Sequence, residues 1–312
     1  MIGNFLIVAQ QVAILFVLMG FGAAMRKAGF FKENAIDGIV NVLILVVTPC
    51  LIVDVFQRPF DPSMLKGLGL ACAVAALVHV ALIAIAAAVV RHRNEDVRRP
   101  LLLAAVFSNA GFMGIPLEQA LLGDEGVFYG IVYVVVFNLF IWSWGLRTMC
   151  GSREQGAGNS LKMWVNPGTV GIAMGLPLFL CSAKLPAVIG VPVHHMANLN
   201  TPLAMIVIGY ALAGAEFGKV LRTGSVYVAT AVRLVASPLL AMAMLYPFRN
   251  MLDRNMMLAM TVAASAPVAA MVSMFAAKYR RDMDVSVSVV SGTTLLSILT
   301  MPVVIALAMA VL

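Results

Sequence analysis

Ten apolar stretches separated by short polar connections run the length of this chain, at about residues 5–25, 36–56, 66–90, 100–122, 126–147, 165–183, 193–214, 224–246, 256–277 and 286–311. Most hold the ~20 residues that ~30 Å of hydrocarbon requires, so each is expected as a membrane-spanning helix. The expected fold class is therefore an all-α polytopic membrane protein. The fourth stretch contains a run that a membrane helix normally avoids, Ser108-Asn-Ala-Gly-Phe-Met-Gly-Ile-Pro116. Gly111 and Gly114 weaken the helix, and Pro116 removes a backbone donor and clashes with the preceding turn. Lipid cannot satisfy the backbone groups this frees, so the unwound chain must be buried in protein or line a watery cavity. Asn109 adds a side-chain amide beside the break. A broken helix with a polar side chain at membrane depth is expected at a transporter's substrate site.

The two halves of the pattern echo each other. Thr48-Pro49 lies in the second stretch and Thr201-Pro202 in the seventh, 153 residues apart, and Pro116 and Pro267 are 151 residues apart. Two proline features at nearly one offset suggest a five-helix unit used twice. Five is odd, so the second unit enters from the opposite face, the inverted-repeat plan of secondary transporters. The expected division is 1–150 as the first repeat, 151–164 as a cytoplasmic loop, and 165–312 as the second, inverted repeat.

Composition narrows the class. The chain has 312 residues, 62% hydrophobic and 11% charged, against about 25% charged in ordinary soluble proteins. The net charge of +7 lies in short connections, which reads as a topology signal rather than a nucleic-acid surface. Connections after the odd-numbered stretches carry 15 Lys and Arg and the other side carries 5, which places the odd connections in the cytoplasm and both termini outside. No basic residue precedes the first apolar run and Arg26-Lys27 follow it, so it reads as a first membrane helix rather than a cleaved signal. Cys50, Cys72, Cys150 and Cys181 show no metal-ligand spacing and are expected as free packing thiols. No metal and no cofactor is expected.

With those features in place, the run Asn109-Ala-Gly-Phe-Met-Gly-Ile-Pro-Leu117, followed by Gly123-Asp-Glu-Gly126, resembles the fourth helix of the auxin efflux carrier family. That family includes the plant PIN auxin exporters and bacterial permeases for malate or malonate. Ser265-Ala-Pro267, Phe275-Ala-Ala-Lys-Tyr279 and Val232-Arg-Leu-Val-Ala-Ser-Pro238 are similar to the family's later motifs. The short connection after the fifth stretch is unlike the long plant loop and points to a compact bacterial member. The resemblance implies a sodium/proton-antiporter-like or bile-acid-symporter-like fold. Stretches 1, 2, 6 and 7 would then form a scaffold that dimerises, and stretches 3–5 and 8–10 a moving transport domain. Stretches 4 and 9 would cross at their broken centres, with substrate moved there by an elevator-like step across the inner, or plasma, membrane.

Candidate binding residues follow from both readings. Asn109 offers amide donors to a substrate carboxylate, and Gly111, Pro116 and Pro267 shape the breaks, whose half-helix N-termini favour anions. Ser265 and Ser273 either line the same pocket or bond back to their own helix. Thr48 and Thr201 either face the pocket or mark structural kinks. Arg233, within the eighth stretch, is either a functional group at membrane depth or a structural one that satisfies carbonyls or snorkels, and His79 is either a buried, hydrogen-bonded histidine or a proton relay. Asp54 and Glu118 are weak proton or cation candidates. No carboxylate stands between Val262 and Met274, where coupled relatives usually bring acidic groups. Coupling therefore either uses backbone and neutral groups, or is weak, or is absent in a uniporter, and transport without a sodium gradient is the expectation to test. The substrate expected is a small organic anion, a mono- or dicarboxylate; the alternative is a sodium- or proton-coupled symporter or antiporter of another solute on the same fold. An intramembrane enzyme would need a nucleophile–base pair or metal cluster at membrane depth, and neither pattern appears. No Gly-x-x-x-x-Gly-Lys motif is present to bind ATP.

Overall fold

The computed structural model describes residues 2–30, 33–151, 167–214 and 224–312. Most of the expected loop 151–164 lies outside the described residues. The described chain is helical, with no strand beyond one isolated bridge. Among the described residues six helical runs are long and apolar enough to cross a membrane: Val8–Lys27, Ala35–Phe56, Pro62–Val89, Ala110–Cys150, Gly224–Phe248 and Met283–Val311. Large apolar side chains such as Val17, Leu77, Leu299 and Val303 stand exposed on their outer faces, as expected where lipid rather than water is the neighbour.

The remaining expected spans are interrupted or short. Pro167–Leu180 (α8) has 14 residues, and the seventh stretch divides into Ala187–Ala197 (α9) and Asn200–Leu212 (α10). The 41-residue run Ala110–Cys150 contains Ile115–Phe140 (α6), which is broken at Gly123 (φ 66°, ψ −158°). Only glycine adopts that conformation without strain. The chain folds back there, so that Glu118 meets Gly130.

Three of the prolines sit in one local device. Thr48, Ile115 and Ser237, each just before a proline, donate their backbone N–H to Leu43, Ala110 and Val232, five residues back. The following proline cannot donate and its ring crowds the carbonyl four residues back, so the turn before it widens to π-helical spacing. Thr48, Ile115 and Ser237 thereby open the helices Thr48–Phe56 (α3), α6 and Ser237–Leu245 (α12).

Packing separates two groups. Ile2–Lys27 (α1) lies against α10, and α3 lies against α8 and α9. Gly22 and Gly209 permit the first contact: a methyl on either would overlap the backbone carbonyl of Ile206 or Met19, the close approach that small residues allow between membrane helices. Around a second centre pack Pro62–Val89 (α4), Glu95–Val106 (α5), α6, Arg254–Ser265 (α13), Met271–Lys278 (α14) and Met283–Val311 (α15). Where the two groups meet near the helix breaks, the interface is apolar and includes Met19, Met113, Leu117, Ala204, Val262 and Ile305.

Candidate substrate site at the helix crossing

α5 and α13 are each 12 residues long and each opens on a side-chain cap. Asn94 accepts from the Asp96 N–H and Asp253 from the Met256 N–H. Each ends in extended backbone, at Phe107 and at Ala266. Ala266 is extended because the ring of Pro267 excludes α conformation from the residue before it. The two extended pieces then pair. The Asn109 N–H donates to the Pro267 carbonyl at 2.6 Å and the Ala269 N–H to the Phe107 carbonyl at 3.0 Å, around an antiparallel bridge of Ser108 with Val268. The Val268 N–H donates to Thr293 Oγ1 at 3.1 Å. Two breaks that would each expose backbone thus satisfy one another, as a chain at membrane depth requires.

This geometry corrects the placing of the fourth-stretch break. The helix is left at Phe107–Asn109, seven residues before Pro116. Pro116 instead sits in the first turn of α6, after the π-helical residues Ala110–Gly114, whereas Pro267 lies within the crossing itself. The equal proline offset therefore does not superpose the two breaks.

Arg233 closes one side of the crossing. It is fully buried in the π-helical segment Val232–Ala236, and its guanidinium donates to the Val106 carbonyl at 2.6 Å, to the Ala264 carbonyl at 2.5 Å and to Ser237 Oγ. Val106 ends α5 and Ala264 lies in the last turn of α13. A helix C-terminus carries about −0.5 charge, so one guanidinium balances both ends. On the other side the chain restarts as helix at Ala110 and at Met271. Each N-terminus carries about +0.5 and amide groups without intrahelical acceptors.

Of the sequence candidates, Asn109 and Pro267 meet at the crossing, with Gly111 in the first turn beyond it. The Asn109 carbonyl accepts from the Met113 and Gly114 N–H groups, while its side-chain amide makes no hydrogen bond among the described residues. Ser265 does not face a pocket: it is 1% exposed and its hydroxyl bonds to the Val262 carbonyl at 2.8 Å. Thr48 likewise bonds back to the Leu43 carbonyl at 2.9 Å, which fits the kink reading. Thr201 lines a separate open cavity of about 120 Å³ between α3, α9, α10 and α6, together with Asp54, Gln119, His194, Asn198 and Asn200. There Asp54 accepts from or pairs with His194 Nδ1 at 2.9 Å. The two are 140 residues apart in the chain and meet only through the fold. Among the described residues no group of three metal-ligating side chains forms, and the four cysteines are free. His79 is buried, with Nδ1 on the Ala75 carbonyl at 2.7 Å and its ring among Phe107, Tyr133 and Phe140.

A helical body with several apolar spans and two broken helices paired at their breaks is the architecture expected of a membrane transporter. The chain belongs to the family described as membrane transport protein, whose model matches residues 7–162, half its length. A second model, the sodium bile acid symporter family, matches residues 199–312. Over 298 residues the chain is 26% identical to an uncharacterized transporter of Methanothermobacter thermautotrophicus, covering 94% of this chain and 96% of that protein.

Proposed function

We propose that the protein is a secondary transporter for a small organic anion, a mono- or dicarboxylate, held at the crossing of α5–α6 with α13–α14. One observation carries the reading. Arg233 neutralises the two helix C-terminal ends at the crossing, so the two N-terminal ends leave a net charge of about +1 beside the Asn109 amide. A carboxylate matches that charge and can accept from both the amide and the exposed helix N–H groups.

The wider architecture proposed is two inverted five-helix units, 1–150 and 165–312, with ten spans in all. The equal lengths of α5 and α13 and their mutual pairing support it, as do two family models that match separate halves. α1, α3, α8, α9 and α10 would be the fixed scaffold, through which two copies associate, and the helices around the crossing the moving part. The apolar interface between them supports an elevator-like step, since apolar side chains slide without leaving polar groups unpaired. The membrane proposed is the inner, or plasma, membrane, with both termini on its non-cytoplasmic side. The alternative, a cation-coupled carrier of another solute, draws on Asp54 and Asp124 in the cavity wall.

A thermal-shift screen of purified protein against mono- and dicarboxylates and against amines tests the reading. A carboxylate at about 100 times its Kd stabilises by about 2.7 kcal/mol. Stabilisation by carboxylates, followed by their flux into liposomes, is the expected result. Stabilisation by amines alone would reject the anion site.

A further inference from the structure

A carboxyl group from the fourth stretch, Glu118, lies beside the crossing. Glu118 is fully buried, and neither of its carboxyl oxygens has a hydrogen-bond partner. Its carboxyl fills a slot made by glycines: a methyl on Gly130 would occupy its place, and Gly114 lies against it on the other side, next to Ala263 of α13. Gly130 faces Glu118 only because Gly123 folds α6 back on itself. The slot is thus built by the two arms of α6, by Gly114 just before it and by Ala263 of α13.

Among the described residues no charged group compensates this carboxyl. α13 carries one ionisable side chain, Arg254, at its first residue, and that guanidinium bonds to the Met309 carbonyl at 2.7 Å. Ala110–Gly114, Ile141–Gly145 and α8 carry none. α4 brings Lys66, Cys72 and His79, the last held on the Ala75 carbonyl. α3 brings Cys50 and Asp54, with Asp54 on His194. α1 brings Arg26 and Lys27, and Arg26 bonds to the Tyr210 carbonyl of α10. Within α6 itself stand Asp124, Glu125, Tyr129 and Tyr133; Asp124 accepts from Gln119 and Glu125 from Asn255. An ionised carboxylate buried without partner is so costly that such a group takes up a proton instead. An ionisable side chain at membrane depth that has no structural partner is a functional site by default.

We propose that Glu118 is a proton-carrying site: its carboxyl is neutral in the packing seen here, and it releases its proton to water when the arm of α6 before Gly123, which carries Glu118, moves clear of Gly130. The step is a simple exchange, in which the O–H bond of the carboxyl breaks, water accepts the proton and the carboxylate remains, to be reprotonated from water on the other side. The slot serves the transporter reading above, because a gradient of protons then drives the step.

The test needs no knowledge of the transported solute, so its outcome is separate from that of the anion screen. Infrared spectra of lipid-reconstituted wild-type protein at pH 7 are compared with those of Glu118→Gln, which has nearly the same shape as the neutral acid and preserves the packing. The expected result is a neutral-carboxyl band in the wild type that is lost in Glu118→Gln. In heavy water that band should shift slowly, as the slot opens. The absence of such a band, or a band that survives the substitution, overturns the proposal. A band that never shifts in heavy water while the protein remains folded also overturns it, since the site then never reaches solvent. Sodium chloride, with choline chloride as control, supplies the last arm. Thermal stabilisation by sodium that disappears in Glu118→Gln would assign the slot to sodium and refute the proton.

Discussion

Arg233 is the side chain on which the crossing depends most, and Arg233→Met tests that directly. Methionine has a similar reach and no donor. The Val106 carbonyl would lose its side-chain donor, while the Ala264 carbonyl would keep the Ser237 hydroxyl at 3.0 Å. An orphaned buried acceptor costs about 1–3 kcal/mol, and two uncompensated helix ends add up to ~2 kcal/mol in a buried setting. Removing a buried guanidinium returns part of this, because its own desolvation cost disappears. The net expectation is a loss of about 2–3 kcal/mol. At about 2–4 °C per kcal/mol, the apparent melting temperature should fall by roughly 4–12 °C, read from tryptophan fluorescence at one fixed heating rate. Arg233→Lys keeps the charge but not the planar fork that reaches two carbonyls, so it should fall between wild type and Arg233→Met. Carboxylate binding should weaken in Arg233→Met beyond what the lower stability explains, since the net charge of the crossing drops from about +1 to about zero. If Arg233→Met melts with the wild type, the guanidinium is not what holds the two half-helices together.

Further perturbations separate the parts of the site. Asn109→Ala should weaken carboxylate binding about tenfold to a hundredfold, from the ~1.5–3 kcal/mol of a hydrogen bond to a charged group. Asn109→Asp should abolish binding by repulsion, and unchanged binding to it would reject an anion site. Pro267→Ala releases Ala266 from its extended conformation and should suppress transport while the protein still inserts; wild-type uptake would make Pro267 an incidental kink. Gly209→Leu forces α10 off the Met19 carbonyl and should lower the yield of folded protein several-fold in size-exclusion chromatography. Arg281 is buried, with its guanidinium on the Met149 and Cys150 carbonyls and on Asp96. Arg281→Ala should therefore destabilise the protein by about 3 kcal/mol, seen as a lower melting temperature with carboxylate affinity intact.

The six long spans were legible in the chain because membrane burial acts on long apolar runs, and runs survive without knowledge of neighbours. The breaks were legible only in part. Ser265-Ala-Pro267 announces its own extended residue, since the proline acts on the residue directly before it. The break at Phe107–Asn109 contains no proline or glycine; it exists because the Pro267 carbonyl and the Ala269 N–H lie opposite, a condition set by tertiary pairing. Glycines and Pro116 just downstream mark the neighbourhood but not the residue. Arg233 was readable as a carbonyl partner, though not as the partner of two particular carbonyls 127 and 31 residues away.

Glu118 shows why a local reading of charge misleads in such a fold. Along the chain it stands near the end of a stretch, where an exposed, solvated carboxyl would be unremarkable. The turn at Gly123 folds the next helix over it, and Gly130 then provides the space that any other residue would fill. Sodium-independent transport, expected from the lack of a carboxylate in the ninth stretch, is consequently compatible with a proton-driven step through the fourth. Replacement of sodium by choline should leave proteoliposome uptake intact. Collapse of the proton gradient should slow it in the wild type, and should leave Glu118→Gln at its own residual rate. Uptake that stops without sodium would contradict both expectations at once and return the mechanism to sodium coupling.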